Sequence, residues 1–282
     1  MHLQKRYVVN SIGMVILWGC GIVTLLILLV IIGYILLKGL PVVTWEFLTQ
    51  NPRNMQREGG IFPTIVATVE MTLIAIVIAT PIAVAAAVYM AEYAGKNRLA
   101  AVVRFGADSL AGIPSIMFGL FGYLFFVYYL NMGFSLIAGG LTLALMALPI
   151  ILRVSEEAII VVPDSYKFGS LALGASKLQT IRKVVIPTAI PGIITGVILG
   201  MGRAVGETAA VILTAGSVAR VPDSIFDPVR TMTVHIFTLA TENLSMKNAF
   251  GTAAVLVIMI LAITLFSNYM TNRYIAKLGG RR

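Results

Sequence analysis

Arg203 and Glu207 stand four residues apart inside Pro191–Ser217, PGIITGVILGMGRAVGETAAVILTAGS, a stretch that is otherwise apolar and exceeds the roughly 20 residues needed to cross a bilayer. On one continuous helix that spacing puts both side chains on the same face. An arginine at a membrane-helix centre costs roughly 2.5–3.5 kcal/mol on insertion scales, so it faces a bundle interior or a wet cavity. Its guanidinium offers five N–H donors in a fixed fork and no acceptor, which suits an oxyanion better than a metal cation. Counted from Pro191, Arg203 falls roughly 18 Å along the helix, near the midplane of a hydrocarbon core about 30 Å thick. Glu207 would then hold the guanidinium while no anion is bound. The blander alternative is an ion pair that only fixes packing.

Arg153 and Glu156 form a second charged pair, three residues apart and therefore also on one helix face. For Arg153 the alternative is snorkelling to the membrane boundary. Glu157 is expected to face solvent, and Glu70 is a further charge in an apolar segment. These residues need close-packed helices around them. Gly192, Gly196 and Gly200 repeat every four residues, as do Gly202 and Gly206, and small residues at that spacing let helix backbones approach in lipid.

Composition fixes the class. The 282 residues are 59% hydrophobic and 12% charged, with mean hydropathy +0.94, which marks an integral membrane protein. The net charge of +9 would raise nucleic acid in a soluble chain. Here the positive residues fall mainly in connecting segments, so topology accounts for them and no nucleic-acid partner is expected. One cysteine, Cys20, excludes an intrachain disulfide, and two histidines, His2 and His235, make no metal cluster.

Six spans are expected, at about 12–37, 61–90, 109–130, 136–160, 191–216 and 249–270, in a single membrane domain covering 1–282. The first is about twice a signal peptide's apolar core and reads as a retained span, with cleavage as the alternative. With the N-terminus cytoplasmic, the inner segments carry two, three, five and four Lys or Arg, 14 in all, against six in the outer ones. The positive-inside bias therefore puts both termini in the cytoplasm. The prolines at 63, 81 and 114 are expected to kink spans two and three.

The cytoplasmic segment 162–190 is the other informative stretch. Pro163, Asp164 and Ser165 form a helix start, Gly174 a break between two short helices, and Pro187 leads into the next span. It is either a surface connector or a docking element for a cytoplasmic partner. No phosphate-binding G-x-x-x-x-G-K-[ST] loop, H-E-x-x-H or G-x-S-x-G occurs in the sequence, so neither ATP binding by that loop nor catalysis is expected of this chain.

Segment 162–190 resembles the cytoplasmic loop of binding-protein-dependent ABC importer permeases. Gly174 fits the glycine of their E-A-A-x-x-x-G motif, and Val184-Val185-Ile186-Pro187 fits its ending; the E-A-A positions hold Phe168-Gly169-Ser170 instead. Leu148 to Glu156, Val162 to Ser165, Leu173 to Ser176 and Gly202 to Ala209 look like the A-type permeases of phosphate-specific importers, with Arg203-Ala204-Val205-Gly206-Glu207-Thr208 the most specific piece. The resemblance implies an all-α, type I ABC importer permease fold with a coupling helix in the loop. It implies inorganic phosphate as substrate, imported through Arg203, Glu207, Arg153 and Glu156. Ser165, Phe168, Gly169, Ser170, Leu171, Gly174 and Ala175 would meet the ATPase. Glu207 would also be placed to take a proton from a protonated phosphate, which sulfate lacks. A C-type sister permease, two ATPase subunits that carry the ATP and magnesium, and a periplasmic or lipid-anchored phosphate-binding protein are the implied partners, in a bacterial cytoplasmic membrane. Importers of molybdate or sulfate share this architecture. A proton-coupled secondary transporter is the rival of another class, disfavoured by the missing inverted repeat.

Overall fold

A computed structural model describes residues 2–54, 58–94 and 97–279. Arg57, Lys96, Arg281 and Arg282, which enter the charge bias, lie outside the described residues. The chain begins with helix α1 (His2–Gly39), followed by the short α2 (Trp45–Thr49) and two two-residue strands, β1 (Pro52–Arg53) and β2 (Glu58–Gly59). The strands pair antiparallel, Pro52 opposite Gly59. Next come α3 (Phe62–Val88), with a π-helical extension through Tyr93, α4 (Arg98–Ala111), and α5 (Ser115–Gly122), with a π-helical extension through Tyr129. Then follow α6 (Leu136–Ile160), α7 (Asp164–Ala172), α8 (Lys177–Thr180), a π-helical turn over Ile181–Val185, and α9 (Ile186–Val205). The chain closes with α10 (Ala209–Thr214), α11 (Met232–Thr241) and α12 (Met246–Gly279).

Among the described residues, five helices are long and apolar enough to cross a membrane: Gly13–Val42, Phe62–Tyr93, Leu136–Ile160, Lys177–Val205 and Met246–Arg273. The expected third span is different. Ala100–Ala111 and Ser115–Tyr129 meet at a 103° bend, and only together do they supply a sixth. The break falls at Gly112-Ile113-Pro114, where proline removes a donor and disfavours helical backbone before it. The expected fifth span also needs correction. Its helix starts at Lys177, fourteen residues before Pro191, and ends at Val205, with α10 a separate piece. Pro187 lies at the start of α9, after the π-helical turn, and Pro191 lies inside it; membrane helices tolerate interior proline where neighbours satisfy the freed backbone groups. The connector between membrane helices is therefore 161–176 rather than 162–190.

The centre of the bundle is α3 against α6, with α9 packed mainly on α6 and also touching α3. On α3, Ala67, Met71, Ala75, Ala79, Ala83 and Ala87 recur every four residues and all are fully buried. This stripe of small side chains brings the α6 backbone close, which packing in lipid requires because burial from water gives no drive there. Gly140 of α6 answers it, its backbone set against Ile74. Thr64, Thr68 and Thr72 share the buried face, and each hydroxyl donates back to a carbonyl of the preceding turn at 2.7–2.8 Å, so none of these three is left bare. Helix α1 is exposed over residues 14–32 and joins the rest at its end, where Gly39 lies against Ala254 and Tyr34 meets Phe250 edge-on at 5.7 Å.

Candidate functional site

Helix α9 stops between the two residues that its sequence spacing places on one face. Val205 is its last residue; the Gly206 N–H still reaches the Gly202 carbonyl at 3.2 Å, and the chain is non-helical through Thr208. Glu207 turns into the next element. Its Oε1 accepts from the N–H groups of Thr208 and Ala210 at 3.1 and 3.3 Å, capping α10, and its carbonyl accepts from the Thr233 hydroxyl at 2.7 Å. A carboxylate on the free N–H groups of a helix start satisfies donors that nothing else reaches. The expected Arg203–Glu207 pairing on a continuous face is therefore not formed. Arg203 is exposed, and no ion pair joins it to a carboxylate among the described residues.

The α6–α9 contact sets the depth of Arg203. A Cβ on Gly196 would come within 3.1 Å of Val154, and one on Gly200 within 2.8 Å of Ile151 and 3.5 Å of Ala147; Gly192 lies against Ala158. Continuing this antiparallel register by one turn puts Arg203 level with the middle of α6. The count from Pro191 reached mid-span from the wrong helix start. Gly202 and Gly206 meet no neighbouring helix within 4 Å. A guanidinium at that level, unpaired among the described residues, needs water, protein or an anion around it.

Arg153 and Glu156 part company. Arg153 is exposed and reaches Glu157, not Glu156, at 3.6 Å. Glu156 points the other way into the bundle, where its side chain is 3% exposed and Arg104 of α4 meets it. Both Nη2 and Nε of Arg104 bond the same oxygen, Oε1, at 2.7 and 2.8 Å; Oε2 is buried without a hydrogen-bond partner among the described residues. A rotation of 100° per residue separates positions three apart by about a sixth of a turn, enough here to send one side chain to the surface and the other to the core. By the α6–α9 register, Glu156 lies between Gly192 and Gly196, well over two turns from Arg203. The structure thus brings neither sequence pair together.

At the end of the bundle where α3 finishes, α7 lies across the base of α3 and α9. Lys167 reaches Glu92 at 2.8 Å, with 19% and 10% of the two side chains exposed, and Asp164 at 3.5 Å. Burial alone would lower the Lys167 pKa, but the Glu92 carboxylate, bonded and close, and then Asp164 outweigh it and raise it. Lys177 sits 4.4 Å over the Tyr93 ring, and the Ser170 and Thr180 hydroxyls are 3.0 Å apart. Gly174 takes φ +84°, a conformation that glycine adopts without steric cost, and turns the chain from α7 into α8. Ser165, Phe168, Gly169, Leu171 and Gly174 are exposed, while Ser170 and Ala175 are half-buried. Phe168 at 67% and Leu173 at 91% leave an apolar surface facing away from the bundle.

At the opposite end, Glu70 lines an open cavity of about 350 Å³ with Leu136, Asp223 and Ile225. Buried Arg230 clasps the Ser217 carbonyl through Nε and Nη2 at 2.9 and 2.6 Å. His235 is buried beside it; burial first, then the Arg230 charge, lower its pKa to about 4.

Residues 79–278 match the family model described as the binding-protein-dependent transport system inner membrane component. The chain belongs to this family. It is 35% identical over 275 residues, 92% of its length and 94% of the relative's, to a probable ABC transporter permease protein, YqgI, of Bacillus subtilis strain 168. It is 34% identical over 242 residues, 83% of its length and 78% of the relative's, to the phosphate transport system permease protein PstA 2 of Mycobacterium bovis. Among solved structures, a bacterial ABC transporter involved in the import of the acidic polysaccharide alginate superposes with TM-score 0.66 at 14% identity, over 92% of this chain and 95% of the other. The inward-facing MetNI methionine ABC transporter superposes with TM-score 0.64 at 18% identity, over 76% and 95%. These two structures show the fold, the type I ABC importer permease fold, while the family match and the curated relatives make the chain a multi-pass membrane permease.

Arg104, Glu92 and Lys167 are the residues that sequence spacing missed as partners. Arg104 and Lys167 counted only as topology charges, and Glu92 lies near the end of an apolar run with nothing local to pair it. Only the fold brings 104 to 156 and 92 to 167.

Proposed function

We propose that the chain is a permease subunit of an ATP-driven inorganic phosphate importer and that Arg203 lines its pathway. The observation that carries the reading is an exposed guanidinium, unpaired among the described residues, level with the middle of α6 at the broken end of α9. A charge there needs water, a second chain or an anion around it. A guanidinium fork matches phosphate oxygens in pairs, and relatives named as phosphate permeases support that choice of anion. The unpaired state suits transport, because a permeant ion must be held weakly enough to leave. Arg153, on the exposed face of α6, is a second cationic station, and Glu156, turned into the bundle, meets Arg104 instead of the pathway.

Half of such a pathway is missing from one chain, and the exposed Arg203 face is where a sister permease of the C type would close it. The apolar residues Phe168, Leu171 and Leu173 of the α7 end form the surface for an ATPase subunit, which carries the ATP and magnesium. That end is cytoplasmic, with both termini, on the Lys and Arg bias. A phosphate-binding protein, periplasmic or lipid-anchored, delivers the anion at the Glu70 end. The test is labelled phosphate uptake by the assembled complex in liposomes with unlabelled phosphate, sulfate or molybdate in excess. Only phosphate is expected to compete; competition by sulfate or molybdate and not phosphate would overturn the substrate.

A further inference from the structure

The ion pair between Arg104 and Glu156 is built incompletely. An arginine fork meeting a carboxylate normally engages both oxygens. Here Nε and Nη2 share Oε1, and Oε2 stays buried and unpaired among the described residues. A bare carboxylate oxygen in an apolar bundle is costly and calls for an explanation. The element carrying Arg104 supplies one. Helix α4 joins α5 at the 103° bend over Gly112-Ile113-Pro114, whose N–H groups at 112 and 113 bond only to Ser109 and Leu110 of α4 itself. Toward the bundle, α4 sets Ala100 in the interior, with Val103 and Ala107 packed on the core, while Val102 and Phe105 are 67% and 74% exposed on its far side. It is an arm on an elbow, held to α6 by small apolar contacts and one ion pair.

We propose that Arg104 is a positioning residue of the transport cycle, which latches α4 onto α6 through Glu156 in this conformation and reseats when the pathway changes access. A small pivot at the elbow lets the fork slide from one oxygen to both, or leave altogether, and Oε2 is the acceptor kept for that step. Arg104 acts through Glu156 and not on phosphate. The inference rests on the importer reading, but its test does not need phosphate.

The complete complex, with Cys20→Ser and Val102→Cys in this chain, is labelled with a membrane-impermeant thiol reagent, first without nucleotide and then trapped with ATP and vanadate. With Arg104 present, the two labelling rates are expected to differ about fivefold, within the usual range of coupling between two states. Arg104→Gln removes the difference while ATP hydrolysis continues and uptake falls to background. Arg104→Lys, which keeps the charge without the fork, restores only part of it, and the exchange Arg104→Glu with Glu156→Arg restores more than either single change. Equal labelling in both states with Arg104 intact would overturn the latch, even if Arg104→Gln fails to assemble. A state-dependent label together with no phosphate uptake would instead leave the latch standing and refute the substrate.

Discussion

Replacing Glu92 by Gln, or Lys167 by Met, is expected to disconnect ATP hydrolysis from transport. The two side chains are 2.8 Å apart and mostly buried, and they join the base of α3 to α7. At that distance and an effective dielectric of 20, the gross attraction is about 6 kcal/mol. Desolvation and side-chain ordering return much of it, so removing one partner should cost about 1.5–3 kcal/mol, the range for contacts to charged groups. Because the Lys167 pKa is raised by its carboxylate neighbours, this contribution is complete at neutral pH and is lost only as pH rises through the raised value. Lys177 over Tyr93 and Ser170 beside Thr180 keep α7 near its place without the pair, so the complex should still assemble. The assay is ATP hydrolysed per phosphate imported, in proteoliposomes. Either single variant is expected to raise that ratio about tenfold or more, since 1.4 kcal/mol already corresponds to a factor of ten. The exchange Glu92→Lys with Lys167→Glu should recover part of the loss. An unchanged ratio in both single variants would refute the idea that α7 drives α3 through this contact.

Other expectations follow from single contacts. Glu207→Gln keeps the oxygen that caps α10 and should retain most uptake, whereas Glu207→Ala should lose about 1 kcal/mol of stability, read as a lower thermal midpoint in detergent; loss of uptake with Gln at full stability would assign the charge a direct role. Gly200→Val places a Cβ 2.8 Å from Ile151 and should destabilise the α6–α9 contact by about 1–3 kcal/mol, seen as reduced yield of monodisperse protein. His235, whose folded pKa is lowered to about 4, binds its proton more readily when unfolded. Stability should therefore fall as pH drops from about 6.5 toward 4, by up to about 3 kcal/mol, and His235→Asn should flatten that part of the thermal-midpoint profile.

Several elements were legible in the sequence because their signal is local. Leu136–Ile160 is mainly apolar up to Arg153, starts after a serine that caps it, and has the expected bounds. Gly174 announced its turn because positive φ is a property of one residue. What failed was arithmetic that assumed a continuous helix. Glycine and a capping carboxylate end α9 at Val205, so Arg203 and Glu207 diverge despite their spacing. Proline at 187 and 191 read as a boundary, although the helix runs from Lys177 through both, with Pro191 inside α9. The partner of Glu156 was hidden because Arg104 is 52 positions away on a helix whose mixed face and elbow gave no apolar run. The alanine stripe of α3 was visible in the sequence, and its four-residue period is the signal that would have placed α3 at the centre.

The most direct test of the account is the initial rate of labelled phosphate uptake by the assembled complex, intact against Arg203→Gln, in proteoliposomes with ATP on the ATPase side. The intact complex should require ATP and keep its rate when the proton gradient is collapsed, while Arg203→Gln, equally assembled, should import at background. Uptake by Arg203→Gln at the intact rate, or uptake that follows the proton gradient without ATP, would contradict it.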